Sequence, residues 1–212
     1  MKKIIEGLSR FQEEVFPQHQ ELFSELASRQ LPEALFITCS DSRIDPCLLT
    51  QTRPGDLFII RNAGNIVPAF GQALGGVTAT IEYAVMALGV KDIIVCGHSN
   101  CGAMTGVLHP EKVARMKNVA AWLHYGEPAR WVVEQKYSHL SGDKQLMALT
   151  EQNVLAQLNN LRTHPAVAAG LAKNGLSLHG WVYDIGTGEV TAFDPSTESF
   201  MPLRQIAEVV VG

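Results

Sequence analysis

The chain has 212 residues, of which 46% are hydrophobic and 18% are charged, a composition typical of globular proteins in water. Its formal net charge of −4 excludes a strongly basic surface, so we expect no nucleic-acid partner. No run of about 18 apolar residues occurs, so we expect no membrane-spanning helix and no membrane partner.

The N-terminus lacks the apolar core and the small-residue cleavage site of a secretory signal, and we therefore expect a cytoplasmic protein. Residues 3–27 carry apolar side chains at helical spacing among charged ones, with an interruption near Pro17. The pattern predicts an amphipathic helical arm over residues 1–30. Such an arm either covers its own core or packs on a partner subunit, and periodicity alone leaves both open.

The rest of the chain alternates short apolar runs with helical patterns. Three apolar runs predict buried strands, and the third follows a helix that Gly75 and Gly76 open and Gly89 ends. Two further helices precede an alternating strand, and Gly186-Thr187-Gly188 forms the turn of a C-terminal β-hairpin. The predicted strands cover residues 35–39, 57–60, 93–96, 176–184 and 189–193, and the two later helices cover residues 143–161 and 165–173.

This order of elements predicts an α/β fold in which helices flank a mostly parallel central β-sheet. The chain shows no internal repeat, no low-complexity tract and no shift in composition that would mark a linker. We therefore expect a single domain over residues 1–212.

Two strands of the predicted sheet end in residues that bind soft metal ions. His98 and Cys101 are three residues apart after the third strand, so one tight turn can direct both side chains to the same point. Cys39 ends the first strand in the same way. Because ligands gather at the carboxyl ends of strands in parallel α/β sheets, the three side chains converge if the two strands are neighbours.

Imidazole nitrogen and thiolate sulfur are ligands that zinc prefers, and two thiolates cancel the charge of Zn2+. Three protein ligands leave a fourth position for water, whose pKa zinc lowers from about 15.7 to about 7. On spacing alone, however, a His-x-x-Cys pair is a weak signal, and a cysteine at a strand end is usually a core residue. The other two cysteines, Cys47 and Cys96, are predicted to be small core residues.

Asp41 and Arg43 are two residues apart just after Cys39, so in an extended turn they lie on the same side. An arginine–carboxylate pair is often bidentate and directional. In one interpretation, Arg43 orients an ionised Asp41, which accepts a hydrogen bond from a zinc-bound hydroxide. In a second, Asp41 itself binds zinc and closes the site. In a third interpretation, Asp41 and Arg43 form only a surface ion pair.

These residues resemble the signature of the β-class carbonic anhydrases. Residues 39–43 and 98–102 carry its two core motifs, and the resemblance extends over nearly the whole chain. It is strongest to the bacterial form found with cyanate-degrading enzymes and, more broadly, to the plant-like subgroup. The further matching segments are residues 54–58, 61–65, 81–84 and 179–184.

The resemblance implies a zinc-dependent lyase that hydrates CO2 reversibly to bicarbonate and a proton, by attack of zinc-bound hydroxide. It implies that Cys39, His98 and Cys101 bind zinc and that Asp41 and Arg43 form the catalytic pair. It also implies an obligate homodimer, which often assembles further into tetramers or octamers.

The resemblance further implies roles for four residues in substrate binding. Gln30 matches a glutamine that hydrogen-bonds the substrate, and Gly102 matches a glycine whose backbone N–H contacts a substrate oxygen. Phe58 and Tyr83 match apolar pocket residues that reach the zinc of a neighbouring subunit. Without the resemblance, plain core packing would equally explain Gln30, Phe58 and Tyr83, and a backbone turn would explain Gly102.

Two positions depart from related proteins. Ala87 stands where some plant-like members carry a histidine suspected of moving protons, so tyrosine, water or buffer would export the proton here. Phe36 replaces the tryptophan of a regulatory bicarbonate site known in the other subgroup, although Arg61 and Tyr183 match. We therefore predict an open zinc site with bound water, an aspartate paired with arginine, and little bicarbonate inhibition of that kind.

Two rival functions stay open at this point. Hydrolysis of carbon disulfide or carbonyl sulfide uses the same fold, and the sequence does not show the access route that decides between the substrates. The rival from another class is a non-catalytic scaffold stabilised by zinc. The presence of Asp41, Arg43 and Gln30 argues against that scaffold.

Overall fold

A six-stranded mixed sheet lies at the centre of the chain, of which the computed structural model describes residues 1–203. Its strands are β1 (Ala34–Cys39), β2 (Leu57–Asn62), β3 (Asp92–His98), β4 (Ser177–Tyr183), β5 (Val190–Asp194) and β6 (Ser199–Pro202). The strand order is β2-β1-β3-β4-β5-β6; the first four strands pair in parallel, and β5 and β6 join in antiparallel pairs. The predicted α/β fold and C-terminal hairpin are confirmed, whereas residues 204–212 of the predicted single domain lie outside the described residues.

Helices precede the sheet, connect its strands and cover it. The arm contains α1 (Lys2–Arg10), a π-helical turn (Phe11–Val15), α2 (Phe16–Gln18) and α3 (Gln20–Leu26). The later helices are α4 (Pro46–Thr50), α5 (Gly76–Tyr83) with a π-helical turn (Ala84–Leu88), α6 (Gly102–Leu108), α7 (Lys117–Leu123), α8 (Glu127–Lys136), α9 (Gly142–Thr163) and α10 (Pro165–Ala172), besides 3-10 turns at Pro110–Lys112 and His124–Gly126. Within residues 1–203, no helix is both long and apolar enough to cross a membrane.

The inner strands β1 and β3 are buried on both faces, which explains their continuous apolar sequences. Successive residues of a strand point to opposite faces, so each strand contributes to two cores. The larger core lies against α5, α9 and α10, and the smaller one on the other face includes Cys96. Cys96 is thus a core residue as predicted, whereas Cys47, on α4, is only half-buried.

The prediction that residues 57–60 form a buried strand is only partly right. They belong to β2, which forms the outer edge of the sheet. Of the residues in β2 only Ile60 is buried, and Ile59 is 36% exposed. An edge strand has a neighbour on one side only, so its apolar side chains are not fully covered within one chain.

The N-terminal arm is helical, as predicted, and has a break at His19, where the helix leaves the α conformation with φ −118°. No residue of α1, α2 or α3 is buried. Ile4 and Leu8 are 67% and 58% exposed. Most apolar side chains of the arm are therefore exposed, although Leu26 is half-buried against Gly55.

Candidate metal centre

Three predicted ligands come together at the carboxyl edge of the sheet. Cys39 ends β1, His98 ends β3, and Cys101 directly precedes α6. Since β1 and β3 are adjacent and parallel, with Thr38 opposite Cys96, the two strands end at the same level. The three buried side chains place one ligand atom each, two sulfurs and one ring nitrogen, within 4.8 Å of one another.

The ring of His98 presents its Nε2 nitrogen to this cluster. Its Nδ1 lies 2.8 Å from the backbone carbonyl oxygen of Ser99. Because a carbonyl oxygen only accepts hydrogen bonds, Nδ1 is the donor, and Nε2 is the ring nitrogen that can bind a metal ion. Nε2 is buried and has no hydrogen-bond partner within residues 1–203. Such an orphaned polar atom costs free energy, and a metal ion between the three ligands would remove that cost.

The two cysteines form an asymmetric pair. A hydrogen bond from Cys101 lowers the pKa of the Cys39 thiol well below its usual range. The same contact raises the pKa of Cys101, and burial raises it further. A second buried negative charge is therefore unfavourable unless a cation compensates both. Two sulfurs with one imidazole nitrogen are a donor set that fits zinc.

Asp41 and Arg43 form a bidentate pair beside the cluster. Arg43 Nε lies 2.9 Å from Asp41 Oδ1, and a terminal nitrogen of Arg43 lies 2.8 Å from Oδ2. These hydrogen bonds hold the pKa of the Asp41 carboxyl well below its usual range. Asp41 Oδ2 also lies 3.9 Å from His98 Nε2. An ionised acceptor therefore borders the ligand atoms.

Two arginines fix the loops that carry the ligands. Arg43 donates a further hydrogen bond of 3.1 Å to the carbonyl oxygen of Asn100, one residue before a ligand. Arg61, from β2, donates to the carbonyl oxygens of Cys39 and Asp41, at 3.1 and 2.7 Å. The turn after β1 is thereby attached both to β2 and to the turn after β3.

Comparison with known proteins identifies the family to which this site belongs. The model of the carbonic anhydrase family matches residues 34–190, a span that contains all three ligands. The chain belongs to the carbonic anhydrase family.

Relatives in this family are similar along nearly the whole chain. A carbonic anhydrase of Pseudomonas aeruginosa is 52% identical over 209 residues, which cover 99% of this chain and 94% of the relative. The solved β-carbonic anhydrase CcaA has a TM-score of 0.93 and 48% identity, and the match covers 95% of this chain and 98% of that one. A tetrameric β-carbonic anhydrase from Sordaria macrospora has a TM-score of 0.80 and 31% identity, over 90% and 95% of the two chains. β-Carbonic anhydrases use zinc, and the Cys-His-Cys cluster is suited to that ion.

Three residues predicted to bind substrate in this carbonic anhydrase lie away from the ligand cluster of their own chain. Phe58 pairs with Leu35 at the beginning of β1, about 13 Å along the strand from Cys39. The rings of Phe58 and Tyr83 pack against each other with centroids 6.0 Å apart. Gln30 is exposed in the segment that leads into β1 at the amino edge of the sheet. One chain alone does not bring these side chains to the cluster.

Gly102, the fourth predicted substrate residue, does lie beside the cluster. It is the first residue of α6, directly after Cys101, and is exposed. A Cβ atom added to Gly102 would meet no atom within 4 Å. The N–H groups at the first turn of a helix have no intrahelical partner, so this one is free to bind a ligand.

Sequence reasoning missed the residues that support the cluster from outside. Gly64 donates its backbone N–H to Cys39 Sγ at 3.3 Å. It lies in residues 61–65, which resemble the family, but the sequence predicted no role for Gly64. Asn153 and Gln157 lie fully buried on α9, behind Gly64. Two amides four residues apart on the apolar face of a predicted helix were the available signal.

Proposed function

We propose that this protein catalyses the reversible hydration of CO2 to bicarbonate and a proton, with zinc held by Cys39, His98 and Cys101. The observation that carries the proposal is the convergence of three buried ligand atoms within 4.8 Å of one another. The similarity to the carbonic anhydrase of Pseudomonas aeruginosa and to the β-carbonic anhydrase CcaA supports the same reaction.

Asp41 is suited to hold the nucleophile of this reaction. When bound, zinc would supply a water molecule that ionises near neutral pH. The ionised Asp41 carboxylate accepts hydrogen bonds and donates none. Its Oδ1 accepts two hydrogen bonds from Arg43, whereas Oδ2 accepts only one and keeps a lone pair. By accepting the remaining O–H hydrogen at Oδ2, Asp41 would direct a lone pair of the nucleophile toward CO2. We therefore infer that Asp41 and Arg43 are the catalytic pair.

The same contacts favour an open site over one closed by Asp41. Arg43 holds Asp41 through two side-chain hydrogen bonds and a third from its backbone N–H, which lies 3.0 Å from Oδ1. To bind the metal ion, Asp41 would have to give up this bidentate geometry. Arg43 thus keeps the carboxylate beside the three ligands rather than among them.

We infer that the active unit is at least a homodimer. Gln30, Phe58 and Tyr83 lie toward the amino edge of the sheet, so a second copy would have to bring them to the cluster. There Gln30 would hydrogen-bond the substrate, and the two rings would line an apolar pocket for CO2. The exposed arm of residues 1–30 would pack on the same partner. Assembly into tetramers or octamers is compatible with the tetrameric relative from Sordaria macrospora.

We assign two further roles around the substrate. The backbone N–H of Gly102 would bind a substrate oxygen, since the beginning of α6 is exposed beside Cys101. The proton would leave through Tyr83, which is 50% exposed, or through water or buffer, because Ala87 cannot carry it.

We expect little inhibition by bicarbonate at a separate regulatory site. Phe36 is fully buried and packs edge-on against Trp181, with ring centroids 6.1 Å apart. Arg61 already donates to the carbonyl oxygens of Cys39 and Asp41. These hydrogen bonds hold the guanidinium of Arg61 against the turn after β1, so an anion that moved it away from this turn would have to break them.

The cellular setting is inferred from the sequence motifs. We propose that the protein belongs to the plant-like subgroup and acts in the cytoplasm, where a reducing environment keeps Cys39 and Cys101 as thiols. We also propose a link to cyanate metabolism. Cyanate breakdown consumes bicarbonate, which hydration of CO2 would replenish.

Stopped-flow measurement of CO2 hydration, with zinc analysis of the same preparation, tests the proposed function. We expect one zinc ion per chain and rapid hydration that a chelator abolishes and added zinc restores. Bound zinc without hydration would instead indicate a scaffold. Turnover of carbon disulfide or carbonyl sulfide without CO2 hydration would indicate the rival hydrolase, and absence of zinc would contradict the metal site.

A further inference from the structure

A series of buried hydrogen bonds connects α9 to the sulfur of Cys39. Asn153 Nδ2 donates to the carbonyl oxygen of Gly64 at 3.0 Å. The backbone N–H of Gly64 in turn donates to Cys39 Sγ at 3.3 Å. Asn153 is fully buried, so water does not compete for either of its polar atoms.

The backbone groups at the two ends determine the direction of every hydrogen bond in this series. The carbonyl of Gly64 only accepts, so the amide nitrogen of Asn153 must face it, and Asn153 Oδ1 accepts from Gln157 Nε2 at 2.8 Å. Gln157 Oε1 then accepts from the backbone N–H of Val67 at 2.8 Å. Asn160 Nδ2 donates to the carbonyl oxygen of Val67 at 2.8 Å. If the side-chain amide of either Asn153 or Gln157 were flipped, two donors or two acceptors would face each other. This series of hydrogen bonds therefore has only one arrangement in which every group finds a partner.

Gly64 is also confined from the side of α6. It adopts φ +82°, and a Cβ atom at this position would meet Met104 Cε at 2.9 Å and Ala103 Cβ at 3.1 Å. Trp122 Nε1 donates to the carbonyl oxygen of the preceding residue, Ala63, at 2.8 Å. The loop is therefore held between α9 on one side and α6 on the other, and its position sets where the Gly64 N–H points.

We propose that Asn153 is a positioning residue for the metal site, which holds Gly64 so that the backbone N–H of Gly64 stays directed at the Cys39 sulfur. This hydrogen bond fixes the orientation of the sulfur and withdraws part of its negative charge. Asn153 touches neither the ligand atoms nor the substrate, so it acts only through Gly64. The inference rests on the proposed function in one respect, namely that Cys39 binds the metal ion.

The test compares Asn153→Leu with the parent protein after both are loaded with zinc. Leucine has a similar size but cannot donate to Gly64. We expect the affinity for zinc to fall by about 10- to 100-fold, the usual effect of losing a group that supports a metal ligand, and zinc to be released faster to a chromogenic chelator. Amide hydrogen exchange at Gly64, which needs no metal ion, should become faster as well.

Thr150→Val is the matched control on the same helix. Thr150 is 1% exposed, and its hydroxyl donates to the carbonyl oxygen of Leu146 within α9, at 2.9 Å. The control therefore removes a buried donor from α9 but leaves the hydrogen bonds of Gly64 unchanged. Its zinc release and its Gly64 exchange should equal those of the parent.

Cobalt substitution separates positioning of the sulfur from a general loss of stability. Without the N–H···S hydrogen bond, the Cys39 thiolate is a stronger electron donor. The sulfur-to-cobalt charge-transfer band of Asn153→Leu should therefore shift to lower energy, and that of Thr150→Val should not. A variant that was merely less stable would leave the band of its folded fraction unchanged.

The outcomes distinguish this inference from the proposed function. A parent protein that binds no zinc would contradict the proposed function. If the parent binds zinc and folded Asn153→Leu matches Thr150→Val in zinc release, in the band and in Gly64 exchange, only the positioning role is overturned. Should Asn153→Leu fail to fold, Gln157→Met, which removes the donor to Asn153 Oδ1, must change the same three measurements in the same direction.

Discussion

Asp41 is the residue whose charge matters most to the proposed chemistry. Asp41→Asn keeps the size of the side chain but replaces an acceptor with an amide that no longer forms an ion pair with Arg43. Because the three ligands are untouched, we expect full zinc content with CO2 hydration reduced by about 10²-fold or more. Stopped-flow assays with metal analysis measure both. Unchanged turnover would remove Asp41 from the mechanism.

The ligand cysteines are predicted to differ sharply from the other cysteines. Cys39→Ser, like His98→Asn, should lose zinc and activity together, because a three-ligand site cannot spare one ligand. Cys47→Ser is the matched control, since Cys47 is half-buried on α4 and lies outside the cluster. Zinc content and CO2 hydration of the three variants test this. A Cys39→Ser protein that kept stoichiometric zinc would contradict the assignment.

At the scale of loops, two glycines with similar positive φ values separate backbone strain from packing. Gly64 and Gly71 have φ values of +82° and +86°, but a Cβ atom would crowd α6 only at Gly64. We expect Gly71→Ala to lower the free energy of unfolding by about 1 kcal/mol and Gly64→Ala to lower it by more. Urea unfolding measures both. Equal losses would show that contact with α6 does not confine Gly64.

The turn between β4 and β5 should be sensitive to acid. Asp184 Oδ1 accepts backbone hydrogen bonds from Thr187 and Gly186, each 2.8 Å long. The contact with Thr187 above all lowers the pKa of the Asp184 carboxyl below its ordinary value of about 3.9. Its stabilising effect is therefore complete above that ordinary value and is lost as the pH falls through the lower folded-state pKa.

Carboxyl NMR titration should show this lowered pKa directly. The variant Asp184→Asn should lose the corresponding part of the acid-dependent change in unfolding free energy. An Asp184 that titrates at the ordinary carboxyl value would contradict the hydrogen bonding of the turn.

The convergence of Cys39, His98 and Cys101 could be predicted because each lies at the carboxyl end of a strand or just after it. The carboxyl ends of parallel strands share one edge of the sheet, so Cys39 and His98 converge once β1 and β3 are neighbours. The spacing of Asp41 and Arg43 likewise predicted a pair that the structure shows as bidentate. In these cases local sequence and the known behaviour of parallel sheets predict which side chains meet, provided that β1 and β3 are neighbours.

Other features depend on distant parts of the chain and left no local signal. An apolar run such as residues 57–60 looks the same whether its own chain or a partner covers it, so the edge position of β2 was not predictable. The hydrogen bond from Asn153 to Gly64 joins residues 89 positions apart. Periodicity places Asn153 on a helix but does not show which loop its amide will meet.

At the scale of the whole molecule, the exposed arm predicts association. Leu8 is 58% exposed in the single chain, where Leu8→Lys would be nearly neutral. If the arm packs on a second copy, the same change buries a charge and should weaken the dimer. Sedimentation analysis of Leu8→Lys distinguishes a free arm from an arm that packs on a second copy. Met116→Lys is the control, because Met116 is exposed and lies outside the arm. A parent protein that stays monomeric at full activity would contradict the shared site.

Crystal diffraction from the purified protein near neutral pH, recorded at the zinc absorption edge, tests the central claim most directly. We predict one anomalous peak per chain, about 2.3 Å from the sulfurs of Cys39 and Cys101 and about 2.0 Å from His98 Nε2. The fourth position should hold a water molecule, with Asp41 still paired with Arg43. No peak at these three side chains, or a peak with Asp41 bound directly to the ion, would contradict the account.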